Sequence, residues 1–148
     1  MEILPHFWIT YNKENLHIIK EKKIKNIIHL SKKESFIGLD KLNEIKICID
    51  YNYEQTYEEI NTIMYQYLFD ITEYIHDKII NNESILLIGL FDKQDVDVII
   101  VAYYIRYGNM TIQDSIRFLK TKKDDIFNPK CLFYSSLNKF YYELNKNY

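Results

Sequence analysis

The stretch SILLIGLFDKQDVDVIIVAYYIRYG, residues 84–108, decides the fold. SILLIG at 84–89 is a short, unbroken apolar run after the Asn81-Asn82 turn, the pattern of a central strand covered on both faces. A polar loop, LFDKQD, follows at once. DVDVIIVAYYIRYG at 95–108 then opens on acids, is apolar almost all round and stops at Gly108. Acids suit the positive end of a helix dipole and glycine suits its C-terminus, so this segment reads as a buried helix.

Working outward, Thr56 to Asn82 places Ile60, Ile63, Met64, Tyr67, Leu68, Ile71, Ile75 and Ile79 three or four residues apart with no Pro or Gly, which predicts the longest helix. Upstream, NIIHL at 26–30 and IKICI at 45–49 are β-branched runs expected to form buried strands. HFWIT at 6–10 alternates as a strand does, and Asn12 to Lys22 carries Leu16 and Ile19 at helical spacing. Downstream, Thr111 is expected to cap a helix to about Lys120, and Leu132 to Leu144 makes a last helix after the Asn128-Pro129 turn. Strands alternating with helices predict an α/β fold with a central, mostly parallel sheet flanked by helices.

Composition narrows the function classes. The chain has 148 residues, 47% hydrophobic and 27% charged, which fits one compact domain over residues 1–148 and excludes a disordered tail. Nineteen basic against twenty-one acidic side chains give a net charge of -2, so no global basic field exists to hold a nucleic acid or an anionic membrane. The basic run KEKKIK at 20–25 is interrupted by Glu21 and reads as a solvated helix end. No apolar run approaches the ~20 residues of a membrane span. The opening MEILPHFWIT has neither a basic leader nor a long apolar region, so secretion and mitochondrial import are not expected.

Cys48 and Cys131 lack metal-ligand spacing and read as structural thiols in a reducing compartment. His6, His17, His29 and His76 are scattered with no i, i+4 pair for zinc, and no nucleotide-binding loop is present. No metal or cofactor is therefore expected. Tyr51, Tyr53 and Tyr57 cluster around the loop that follows the 45–49 run and Tyr134, Tyr141 and Tyr142 lie in the last helix; tyrosine buries area at low entropic cost, so either group is a candidate contact surface.

Two segments resemble the small dual-specificity protein phosphatases of the cysteine phosphatase superfamily. ILPHFWIT followed by NLHIIKEKKIKNIIHLS is similar to the family's opening strand, helix and strand. AYYIRYGNMTIQDSIRFLKTKKDDIFNP at 102–129 resembles the segment after the catalytic loop, including the Asn109-Met110-Thr111 helix start and the Lys122-Lys123 pair. Counting back from Asn109 without a gap, the resemblance places the family's H-C-x-x-G-x-x-R signature on IGLFDKQD, Ile88 to Asp95.

In active members the cysteine is a thiolate nucleophile activated by loop N–H groups and a helix N-terminus, and the arginine grips the phosphoryl oxygens. Here Gly89 stands at the cysteine, Asp95 at the arginine, Ile88 at the histidine, Asp92 at the loop glycine and Val96 at the following serine. Tyr53 falls at the general-acid position, and Asp50 is the nearest carboxylate. The resemblance therefore implies an inactive pseudophosphatase of the STYX type.

Asp92, Asp95 and Asp97 against Lys93 alone would repel a phosphate dianion, and a carboxylate such as that of Asp95 could instead occupy the helix N-terminus. A cation site at these aspartates is disfavoured because hard cations need six or more oxygens. Tyr51, Tyr53, Tyr57, Asp92, Lys93 and Asp95 form the candidate binding surface. The expected function is phosphate-independent binding of an unidentified protein, such as a host signalling protein, by sequestration or scaffolding. Alternatives are a phosphoprotein reader, a residual phosphatase using Asp50, Cys48 or Cys131, and a homodimer. The resemblance, with a composition rich in Ile, Asn, Lys and Tyr that suits an A/T-rich genome, suggests a poxvirus-type source and action in the host cytoplasm.

Overall fold

A computed structural model describes residues 1–11, 17–31, 37–39, 41–47, 49, 51, 52, 54–90, 93–128 and 130–146. Its elements run β1 (Glu2–Leu4), β2 (Phe7–Tyr11), α1 (Ile18–Glu21), β3 (Asn26–His29), β4 (Asn43–Lys46), α2 (Tyr57–Ile80), β5 (Ile85–Gly89), α3 (Asp95–Tyr107), α4 (Ile112–Lys120) and α5 (Tyr134–Asn145). The strands form one sheet in the order β1-β2-β5-β3-β4. All pairs are parallel except the antiparallel β1-β2 edge, so this is an α/β fold with a mostly parallel sheet.

The chain divides into two compact units, Met1–Asp50 with Tyr74–Val96, and Tyr51–Glu73 with Asp97–Tyr148. The first holds the whole sheet. Its central strand, β5, is buried at every residue, as its unbroken apolar sequence requires. The period of two puts Trp8, Ile27, Leu86 and Ile88 on one face, where Ile19 of α1 and Ile24 after it pack against them. Fully burying each such aliphatic side chain contributes roughly 1.5–3 kcal/mol. Phe7, Ile9, Ile28, Ile85 and Leu87, on the other face, are also buried.

Polar groups fix the sheet's β3-β4 edge. His29 is fully buried and its Nε2 lies 2.8 Å from Glu44 Oε1, while Glu44 also accepts the backbone N–H groups of Ile37 at 2.8 Å and Gly38 at 2.9 Å. Burial raises the Glu44 carboxyl, but these three donors outweigh it and hold the group below its ordinary value. Gly38, with φ of 75°, adopts the left-handed turn that brings its N–H to Glu44. Six described non-glycine residues share that backbone region, Lys23 at 54° and Lys41 at 64° among them.

Helices dominate the second unit. Asn61 of α2 donates to the carbonyls of Tyr57 at 2.8 Å and Leu132 at 3.0 Å and accepts the N–H of Ser136 at 2.8 Å. Phe133 at the N-cap of α5 supplies no side-chain cap, so Asn61 satisfies a first-turn donor of α5 from α2. Arg106 of α3 donates to Phe69 O at 2.8 Å and Thr72 Oγ1 at 3.1 Å. Thr111 caps α4 by accepting the Asp114 N–H at 3.1 Å, as its sequence position predicts.

Two expected boundaries need correction, and one short strand is additional. The strand placed at 45–49 begins earlier, at Asn43, whose N–H pairs with Lys25 O, and β4 over Asn43–Lys46 is a half-exposed edge; beyond it the Ile47 and Ile49 N–H groups still donate to His29 O at 2.8 Å and Leu30 O at 3.4 Å, and Ile49 is buried as expected. The strand β1 was not expected, since three residues are too few to show a period. Phe133 and Tyr134, not Leu132, begin the last helix. The helix expected over Asn12 to Lys22 is described only as Ile18–Glu21, residues 12–16 lying outside the described residues.

Candidate functional site

The segment from β5 into α3 carries the positions that the resemblance aligns with the family's catalytic loop. Ile88 is 2% exposed and its carbonyl accepts the Leu30 N–H at 3.0 Å, which fixes the end of β5 beside β3. Gly89 pairs with Tyr11 of β2. The Leu90 carbonyl accepts the Lys93 N–H at 3.1 Å, two residues before α3 begins. Asp92, like Tyr53, Asp50 and Cys48, lies outside the described residues.

Three positions expected to be degenerate meet in one place. A Cβ built on Gly89 would collide with Val96 Cγ2 and lie 2.9 Å from Asp95 Oδ1. Val96 is fully buried, and Asp95 is 2% exposed with Oδ1 accepting the Val96 N–H at 2.8 Å. The carboxylate and the valine methyl thus fill the space a cysteine's Cβ would need. Asp95 also places negative charge at the first residue of α3, where the helix dipole favours an anion. Being buried, Asp95 is an inward group and not part of an exposed contact surface. The identities at these positions were readable from the sequence; the packing of Val96 on Gly89 was not, and its one signal is the paired change to a smaller residue and a larger one.

Asp97 corrects the charge count made from sequence. Its carboxylate is 2.9 Å from Lys123 Nζ and accepts the Phe127 N–H at 3.4 Å, and the residue is 3% exposed. Burial raises its pKa, against the lowering effect of Lys123. Asp97 anchors the turn after α4 and is not presented to a ligand. Among the described residues no group of three or more His, Cys, Asp or Glu could hold a metal ion.

The candidate tyrosines separate. Tyr51 sets its ring edge-on to Phe133, with centroids 5.3 Å apart, and is half-buried. Tyr57 is 54% exposed, with Lys130 Nζ 5.0 Å from its ring. Lys93 is half-buried. On α5, Tyr134 and Tyr142 are exposed and Tyr141 is half-buried. Burial pushes the half-buried Cys131 thiol up to about 11, a poor setting for a nucleophile. No helix among the described residues is long and apolar enough to cross a membrane.

No protein-family model matches the chain, and no curated protein matches it. Solved structures do. The fold is similar to that of the human dual-specificity phosphatase DUSP28, with TM-score 0.76, 10% identity and coverage of 98% of this chain and 97% of that one. A leucine-rich repeat and phosphatase domain protein of Entamoeba histolytica gives TM-score 0.76 at 17% identity, covering 99% and 92%. The human tyrosine phosphatase-like serine/threonine/tyrosine-interacting protein gives 0.73 at 17% identity, covering 94% and 93%.

Proposed function

On the premise that this chain has the dual-specificity phosphatase fold, we propose that it is a pseudophosphatase that binds a protein partner without requiring phosphate, as a sequestering or scaffolding module. The observation that carries the reading is the filled space at Gly89, where Val96 Cγ2 and Asp95 Oδ1 stand in the way of even a single added carbon. Phosphoryl transfer on this fold needs a nucleophile and a cationic grip on the phosphoryl oxygens. Gly89 offers no nucleophile, and Asp95 puts a carboxylate where a cation is wanted. The same carboxylate takes an N–H at the start of α3 that a phosphate would otherwise use. A fold kept without its chemistry leaves a surface as its working part, and the similar human protein is named as phosphatase-like and interacting.

The test is calorimetric titration of the chain with a phosphotyrosine peptide and its unphosphorylated twin, with free phosphate measured in the recovered samples. Neither heat nor phosphate release is expected with either peptide. Heat from the phosphorylated peptide alone would make the protein a phosphoprotein reader, and released phosphate would make it an enzyme.

A further inference from the structure

Four lysines that the sequence scatters over twenty-two residues line one groove of about 740 Å³ in the sheet-bearing unit. Lys20, Lys23 and Lys25 come from the end of α1 and the turn into β3, and Lys41 comes from the turn into β4. All four are exposed, and none is in an ion pair among the described residues. Glu21, which breaks the basic run in sequence, is absent from the lining and lies 3.6 Å from Lys22. Glu83 is the one acid among the described lining residues, and Lys78 sits 3.9 Å from it. The groove's apolar lining is Ile19, Ile24, Leu39 and Leu42, with Leu39 41% exposed.

Its backbone is held by the sheet. The Lys25 N–H donates to Ser84 O at 3.2 Å and Lys25 O accepts the Asn43 N–H at 2.9 Å, so the β3, β4 and β5 entries form one frame. The groove opens at the N-terminal ends of these parallel strands. Gly89 ends β5 at the other side, about 13 Å from Ile85 at ~3.3 Å per residue. The groove is therefore a separate place from the filled loop, and its use does not depend on how that loop is read.

We propose that this groove docks an acidic segment of a partner protein through one apolar anchor side chain flanked by carboxylates. The apolar lining accepts a leucine-sized side chain, and the surrounding lysines supply the opposite charge along an extended peptide. Separate ammonium groups on flexible stems suit spaced carboxylates better than one compact bidentate anion.

Lys23 and Lys41 give a test that separates docking from folding. Both hold a left-handed backbone that glycine adopts more readily, so Lys23→Gly with Lys41→Gly removes two charges while easing the fold. The probe is a fluorescein-labelled peptide with a central Leu between Asp and Glu residues, titrated by anisotropy against the full chain. Binding that weakens with added salt is expected, together with a loss of about tenfold or more in the double variant, whose Tm stays equal or rises. The peptide with Leu→Ser and the peptide with its acids changed to Asn and Gln should each bind as weakly. No binding by the native chain, equal binding by the double variant or by either altered peptide, or capture of phosphatidylserine vesicles in preference to the peptide would each overturn the proposal.

Discussion

Gly89→Ala adds one carbon at the position that the sequence resemblance aligns with the family's nucleophile, and the surroundings set its cost. That carbon meets Val96 Cγ2 far inside the ~3.5–4.0 Å of a comfortable carbon contact and stands 2.9 Å from Asp95 Oδ1. Both neighbours are buried, so relief requires moving the start of α3, and overpacking of this kind costs about 2–3 kcal/mol. With unfolding entropy near 2.1 cal/mol/K per residue over this length, about 3 kcal/mol is a fall of about 10 °C in Tm. Val96→Ala alone removes two buried carbons and leaves a void, about 2–3 kcal/mol. In the double variant the new methyl takes the space of the lost Cγ2, and only the Asp95 contact and the residual volume remain as a cost of about 1–2 kcal/mol. The expected coupling is thus about 3 kcal/mol, read by thermal and urea unfolding of all four proteins. If the two losses simply add, so that the double variant falls by about 15 °C, the two side chains do not compete for one space and the account of the filled site is wrong.

Three further outcomes follow from described contacts. Lys123→Met leaves the Asp97 carboxylate buried with the 3.4 Å Phe127 N–H, and stability at pH 7 should fall by about 3 kcal/mol. Because burial raises the folded-state pKa of Asp97, its ionised form opposes folding above that pKa; the variant's deficit should shrink as pH falls and the carboxyl takes a proton, and a deficit constant from pH 7 down to acid would refute this. Asn61→Ala removes the donor to Tyr57 O and Leu132 O and the acceptor for Ser136 N–H, for an expected loss of about 3 kcal/mol, whereas Ser135→Ala on the exposed side of α5 should stay within about 0.5 kcal/mol by the same denaturation curves. In a Cys48→Ser background, Cys131 with its thiol near 11 should react with a disulfide reagent at pH 7.5 about a hundredfold more slowly than a free thiol, and labelling at the free rate would restore it as a candidate nucleophile.

Much of this was legible one element at a time. The apolar run at 84–89, the acid-led helix that follows and the Thr111 cap are local patterns, and the structure places them as β5, α3 and the start of α4. What escaped were effects of partners distant in the chain. Asn61 serves α5 from 75 residues away, and in sequence Lys123 is half of a basic pair with nothing to point to its bond with Asp97, 26 residues earlier. At the site, counting from Asn109 named the positions, but seven residues and a change from strand to helix separate Gly89 from Val96, so no periodicity links them. The acidic loop likewise looked uniform in sequence, whereas Asp95 turns inward beside Gly89 and Asp97 is matched by Lys123.

The left-handed residues carry a record of a different kind. The chain has three glycines, and among its described residues Lys23, Lys41, Asn82 and Asn109 stand at positive φ where glycine would be at ease. Asparagine tolerates that conformation, but each lysine there costs roughly 1 kcal/mol. The scarcity of glycine thus shows itself as backbone strain, and replacing those two lysines by glycine is expected to return stability.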